Sequence, residues 1–136
     1  MNTKRFAIAS GAVFLFIFIY KWIFHGVVLK SIYQQTANLW RPESDMEFYF
    51  IWLTLGQFIF AIVFSLFFLR GYENKGLVEG IKYGALMGVF FCAPNLIWYA
   101  VQPLPGSLVV QWCLGGLIEI TLAGAILASI YRPNAN

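Results

Sequence analysis

The sequence predicts an all-α fold, a four-helix transmembrane bundle with a short interfacial segment between the first two spans. Three observations predict it. Of 136 residues, 60% are hydrophobic and only 11% are charged, whereas soluble domains are about 25% charged. Four apolar runs, about 6–29, 46–69, 77–101 and 108–131, are each long enough to cross a ~30 Å hydrocarbon core at a rise of ~1.5 Å per residue. The basic residues also fall unevenly. Lys4, Arg5, Arg70, Lys75, Lys82 and Arg132 lie on the face that four spans give to both termini, against Lys30 and Arg41 on the other. That bias satisfies the positive-inside rule with both termini cytoplasmic. One integral membrane domain, 1–136, accounts for the whole chain.

The first run follows Lys4 and Arg5, as a signal peptide would. Its apolar stretch exceeds the ~7–15 residues of such a peptide, so a retained span is expected. Ala7 and Gly11 offer it a small-residue face for a neighbouring helix. The polar stretch 31–45 should form a short interfacial helix or ordered loop, with Tyr33 and Trp40 at headgroup level. Pro42 should stop the preceding helix, and Ser44 or Asp45 could cap the next. The second span is rich in Phe, most of it expected to face lipid, and carries Gln57. Residues 70–76 make a polar turn, with Glu79 and Lys82 as a solvated helix pair beyond it.

In the third span Gly80, Gly84 and Gly88 recur every four residues, a ridge on which another helix can pack closely. Pro94 should kink its outer half. After the connection 102–107, the fourth span offers Gly115, Gly116, Gly124 and Ala128 as small contacts, and Arg132-Pro133 ends it. Trp98, Tyr99 and Trp112 suit an outer aromatic belt.

The function classes narrow by elimination. A net charge of +3 without any basic run argues against nucleic acid. Cys92 and Cys113 lack CxxC spacing and read as buried reduced thiols. Their estimated depths of about 14 and 9 Å still permit an approach. With His25 the single histidine, no metal or haem constellation and no cofactor is expected. No nucleophile–base–orienter spacing is present, which leans away from an enzyme.

The polar residues inside the spans are more informative. Measured from the outer edge by helix rise, His25 and Gln111 lie at roughly 6 Å, Asn95 at 9 Å, Lys21 at 12 Å, Gln57 at 15 Å and Glu119 at 18 Å. An intramembrane carboxylate costs about 2.5–3.5 kcal/mol on insertion scales and needs a neighbour, a proton or a cavity. Lys21 and His25, four apart, share a helix face. Lys21 could pair with Glu119 or snorkel outward.

Two functions follow. The first is a non-enzymatic protein acting through helix packing, as a homo-oligomer or an accessory subunit of a larger membrane complex, with the glycines as its contacts. The alternative is a small transporter or ligand-binding protein with an outward-opening pocket. Glu119 would then be its floor, Lys21, Gln57 and Asn95 its walls, and His25 and Gln111 its mouth, taking a small ligand or a proton.

In layout the chain resembles small bacterial four-span proteins of the DUF1761 type. The likeness rests on Tyr20-Lys21-Trp22 at the end of the first span, the Leu39-Trp40-Arg41-Pro42 loop and the segment 116–124. The resemblance implies a bacterial inner-membrane setting and transfers no catalytic residue.

Overall fold

The computed structural model describes residues 2–131. It is helical in the order α1 (Thr3–Ile23), a π-helical turn (Phe24–Val28), α2 (Lys30–Gln35), a 3-10 turn (Ala37–Leu39), α3 (Glu43–Arg70), α4 (Leu77–Val101) and α5 (Gly106–Ile130). Four of these segments are long and apolar enough to cross a membrane: Thr3–Val28, α3, α4 and α5. Arg132 and Pro133, expected to close the last span, lie outside the described residues.

The described residues begin and end at the same end of the bundle, where the Asn2 amide lies 3.4 Å from the Tyr131 hydroxyl. The opposite end, called here the loop end, carries residues 29–42 and 102–105. α1 runs between α3 and α5, and α5 in turn packs on α4. The core is narrow. Ala9, Val13 and Ile17, each four residues apart and fully buried, meet Ala61, Phe64 and Phe68 of α3 and Ile120, Ala123 and Leu127 of α5. The expected small-residue face of α1 is not used this way. Ala7 is exposed, and a Cβ at Gly11 would touch nothing, because the buried stripe runs through Ala9 instead.

The α4–α5 hairpin has the closest approach. A Cβ added at Gly80 would overlap the backbone of Gly124. One at Gly84 would overlap the Ile120 carbonyl and come within 2.7 Å of Thr121 Cα. One at Gly88 would lie 3.0 Å from Leu117 Cα. The glycine ridge is therefore filled from within the chain. Gly116 departs from expectation, since a Cβ there meets nothing. The tight neighbour is Gly115, where a Cβ would overlap the Phe24 ring.

α3 and α4 meet through side chains rather than close backbones. Phe60 lies edge-on to Phe91 at 5.0 Å, and Tyr83 sits 4.7 and 5.4 Å from the rings of Phe64 and Phe68. The Tyr83 hydroxyl donates to the Phe64 carbonyl at 2.7 Å. Outward from this contact α3 exposes Phe48, Phe50, Trp52, Phe58 and Phe67, as expected for rings facing lipid.

Two local expectations change, the capping of α3 and the Glu79–Lys82 pair. α3 starts at Glu43 after Pro42, so neither Ser44 nor Asp45 caps it; both fall inside its first turn. α4 continues as a helix through Pro94. Glu79 is not committed to Lys82: its carboxylate accepts from the amides of Glu73 and Lys75 at 2.6 and 2.9 Å, tying down a turn in which Asn74 and Gly76 hold positive φ. Beside it Lys75 pairs with Glu73, and this pairing holds the Glu73 carboxyl below its ordinary range.

Candidate functional site

The site begins where α1 changes its winding. Between Phe24 and Val28 the helix widens, with the Leu29 amide donating to the Phe24 carbonyl at 2.9 Å. Single π turns inside helices recur at functional positions because they re-aim side chains. Here the turn lays the Phe24 ring on Gly115, where only a glycine leaves room. Tyr20 stacks on Phe24 at 5.7 Å and donates its hydroxyl to the Gly115 carbonyl at 2.9 Å.

One turn deeper, Lys21 Nζ donates to Glu119 Oε2 at 3.2 Å. The side chain of Glu119 is 4% exposed and that of Lys21 37%, so the ammonium reaches from a wetter position to a dry carboxylate. The pairing follows from cost. Neither a lone buried carboxylate nor a lone ammonium is tolerated in apolar surroundings, and each neutralises the other. Glu119 Oε1, by contrast, is buried without any hydrogen-bond partner.

The pair borders a cavity of about 310 Å³, whose polar wall is formed by Lys21, His25, Asn95 and Glu119 and whose aromatic wall is formed by Phe24, Phe60, Phe91 and Trp112. Four of the six residues expected to share a pocket thus do so. Gln57 does not line it; α3 contributes Phe60 instead, and the Gln57 Oε1 is buried without a partner. Gln111 is also outside. It precedes Trp112 by one residue, about 100° around the helix, and Trp112 occupies the wall.

At the loop end, His25 is held by residues that composition alone placed at headgroup level. Tyr33 stacks on the His25 ring at 5.9 Å, and its hydroxyl lies 2.6 Å from His25 Nδ1. Trp112 Nε1 donates to the same hydroxyl at 2.8 Å. The Tyr33 hydroxyl thus bridges Trp112 Nε1 and His25 Nδ1, as an oxygen with one proton and two lone pairs can. Burial pushes the Tyr33 phenol up, and the Trp112 hydrogen bond acts the other way. Trp40 packs edge-on against both Tyr33 and Trp112. Trp112 is therefore a strut of the site, while Trp98 and Tyr99 keep the exposed positions of a belt.

The cysteines are not reduced thiols. Cys92 and Cys113 form a disulfide across the α4–α5 hairpin, with Cα atoms 4.9 Å apart, and both line the cavity. The reason lies in the hairpin register. The four-residue steps Gly80–Gly84–Gly88 along α4 meet steps of three or four residues back along α5, from Gly124 through Ile120 and Thr121 to Leu117. The next step on α4 is Cys92, and the next on α5 after Leu117 is Cys113.

No known family model, curated protein or solved structure matches the chain. Among the described residues, no group of three or more His, Cys, Asp or Glu side chains is placed to hold a metal ion.

Proposed function

We propose that this multi-pass membrane protein binds, and in binding helps to move or sense, a small polar ligand at Glu119. The cavity would face away from the cytoplasm, with both termini on the cytoplasmic side of a bacterial inner membrane. One observation carries the reading. Glu119 is 3% exposed, with one oxygen paired to Lys21 and the other unpartnered, beside a cavity of about 310 Å³. An unsatisfied buried acceptor costs about 1–3 kcal/mol, so the site favours an occupant offering an N–H or O–H. Lys21 already neutralises the carboxylate, which favours a neutral donor over a bare metal cation. The volume suits a small molecule, ligand pockets running about 300–1,000 Å³. The aromatic walls would hold its apolar side.

A homo-oligomer or accessory subunit acting through helix packing is the second reading. The glycine ridge that suggested it is filled by α5, so an assembly would have to use another face.

The test is native mass spectrometry of the full chain transferred from its own membrane into nanodiscs. The wild type should carry a low-mass, non-lipid adduct that Glu119→Gln loses while keeping its helical content. No adduct on the wild type, or an equal adduct on both, removes the ligand reading.

A further inference from the structure

A disulfide that only braced the hairpin would have little to do where it stands. Disulfides stabilise mainly by confining the unfolded chain. α4 and α5, once inserted across a bilayer, are already confined as neighbours by the short connection 102–105. The glycine ridge then fixes their register without help, through backbone contacts at Gly80, Gly84 and Gly88. The two sulfurs sit past the end of that ridge, in the wall of an open cavity, rather than in the buried core. Pro94, two residues beyond Cys92, lines the same cavity and leaves the Phe90 carbonyl without its helical donor. The surroundings are also chemically suited. The cavity is lined by Lys21, whose charge is opposite to that of a departing thiolate. Glu119 holds that ammonium in place.

We propose that Cys92–Cys113 is a thiol–disulfide exchange centre, reduced by small-molecule thiols that enter the cavity. A thiolate RS⁻ attacks one sulfur. The Cys92–Cys113 bond breaks, a mixed disulfide with R forms, and the other cysteine leaves as a thiolate into the cavity that Lys21 also lines. A second RS⁻ attacks the mixed disulfide, releasing RSSR and the second cysteine thiolate. Both thiolates take up the protons that the two thiols lost. Two RSH thus become RSSR, and two electrons pass to the protein pair as a dithiol. Oxidation by RSSR is the same sequence reversed. Lys21 is a positioning residue here, acting through charge on the leaving thiolate. The proposal shares with the ligand reading an accessible cavity and the Lys21–Glu119 pair. The adduct measurement reads Glu119 and the thiol measurement reads the sulfurs, so either can fail alone.

The experiment uses the full chain in nanodiscs, with 2-mercaptoethanesulfonate as the thiol. Samples are quenched in acid, alkylated with a maleimide and weighed intact. Both cysteines should become alkylated with helical content unchanged, and Cys92→Ser or Cys113→Ser, given the disulfide of the probe in place of its thiol, should take up one probe as a mixed disulfide and release one probe thiol. Lys21→Met should slow reduction about tenfold, and Lys21→Arg should restore it, as charge on the leaving sulfur requires. Cysteines that resist the thiol until the protein is denatured would overturn the proposal. So would a rate in Lys21→Met equal to that of the wild type. Where Lys21→Met does not fold, the trapped mixed disulfides and the Lys21→Arg rate decide.

Discussion

Glu119 shows how far single residues could be read. An acid in an apolar run demands company, and Lys21 supplied it because its long side chain spans the ~6 Å between their estimated depths on helices that touch. Removing the partner should therefore harm more than removing the pair. Lys21→Met leaves the carboxylate buried alone, and we expect a loss of about 1–3 kcal/mol, below the ~3–5 of fully buried pairs because Lys21 is partly exposed. Adding Glu119→Leu should recover most of it, read as denaturant midpoints in a common detergent. For Tyr33 the residue type suggested a depth and not its partners. Headgroup preference ranks residue types by polarity and cannot see that α2 folds the phenol back onto His25 and Trp112. Because the Trp112 N–H favours the phenolate, Trp112→Phe should raise the Tyr33 pKa further. Ultraviolet titration against a Tyr33→Phe reference measures the shift.

At the scale of elements, the α4–α5 hairpin was half legible. Three glycines at intervals of four announce a face, yet their spacing does not say which helix fills it. The connection of a few residues does say so, since it leaves α5 antiparallel and adjacent to α4. Continuing the same phase to Cys92, and backward from Leu117 to Cys113, would have brought the sulfurs together. The absence of CxxC spacing hid a pairing between elements. Gly84→Leu should force the backbones apart at Ile120 and Thr121, at a cost of about 1–3 kcal/mol or more. It should also lower the yield of the Cys92–Cys113 bond on non-reducing gels. Gly116→Ala, with open space at its Cβ, should leave that yield unchanged. The π turn had no sequence signal beyond Gly26 and shows only through what Phe24 meets across the bundle.

For the molecule as a whole, the number of long apolar helices followed from run length. The sidedness remains an expectation drawn from the basic residues. In a Cys92→Ser/Cys113→Ser background, a membrane-impermeant maleimide should label Asn38→Cys and Ser107→Cys on intact cells and Asn74→Cys only after lysis. The order of helices around the bundle could not be read, because four apolar cylinders of similar length pack in several arrangements. The order adopted leaves α3 and α4 joined by phenyl edges and the Tyr83–Phe64 hydrogen bond. Rings can rotate aside at far smaller cost than interlocked glycine backbones can separate. The bundle is thus softest along that seam, in the plane of the bilayer, and a solute already dissolved among the lipids could slip between Phe60 and Phe91 without ever crossing the water.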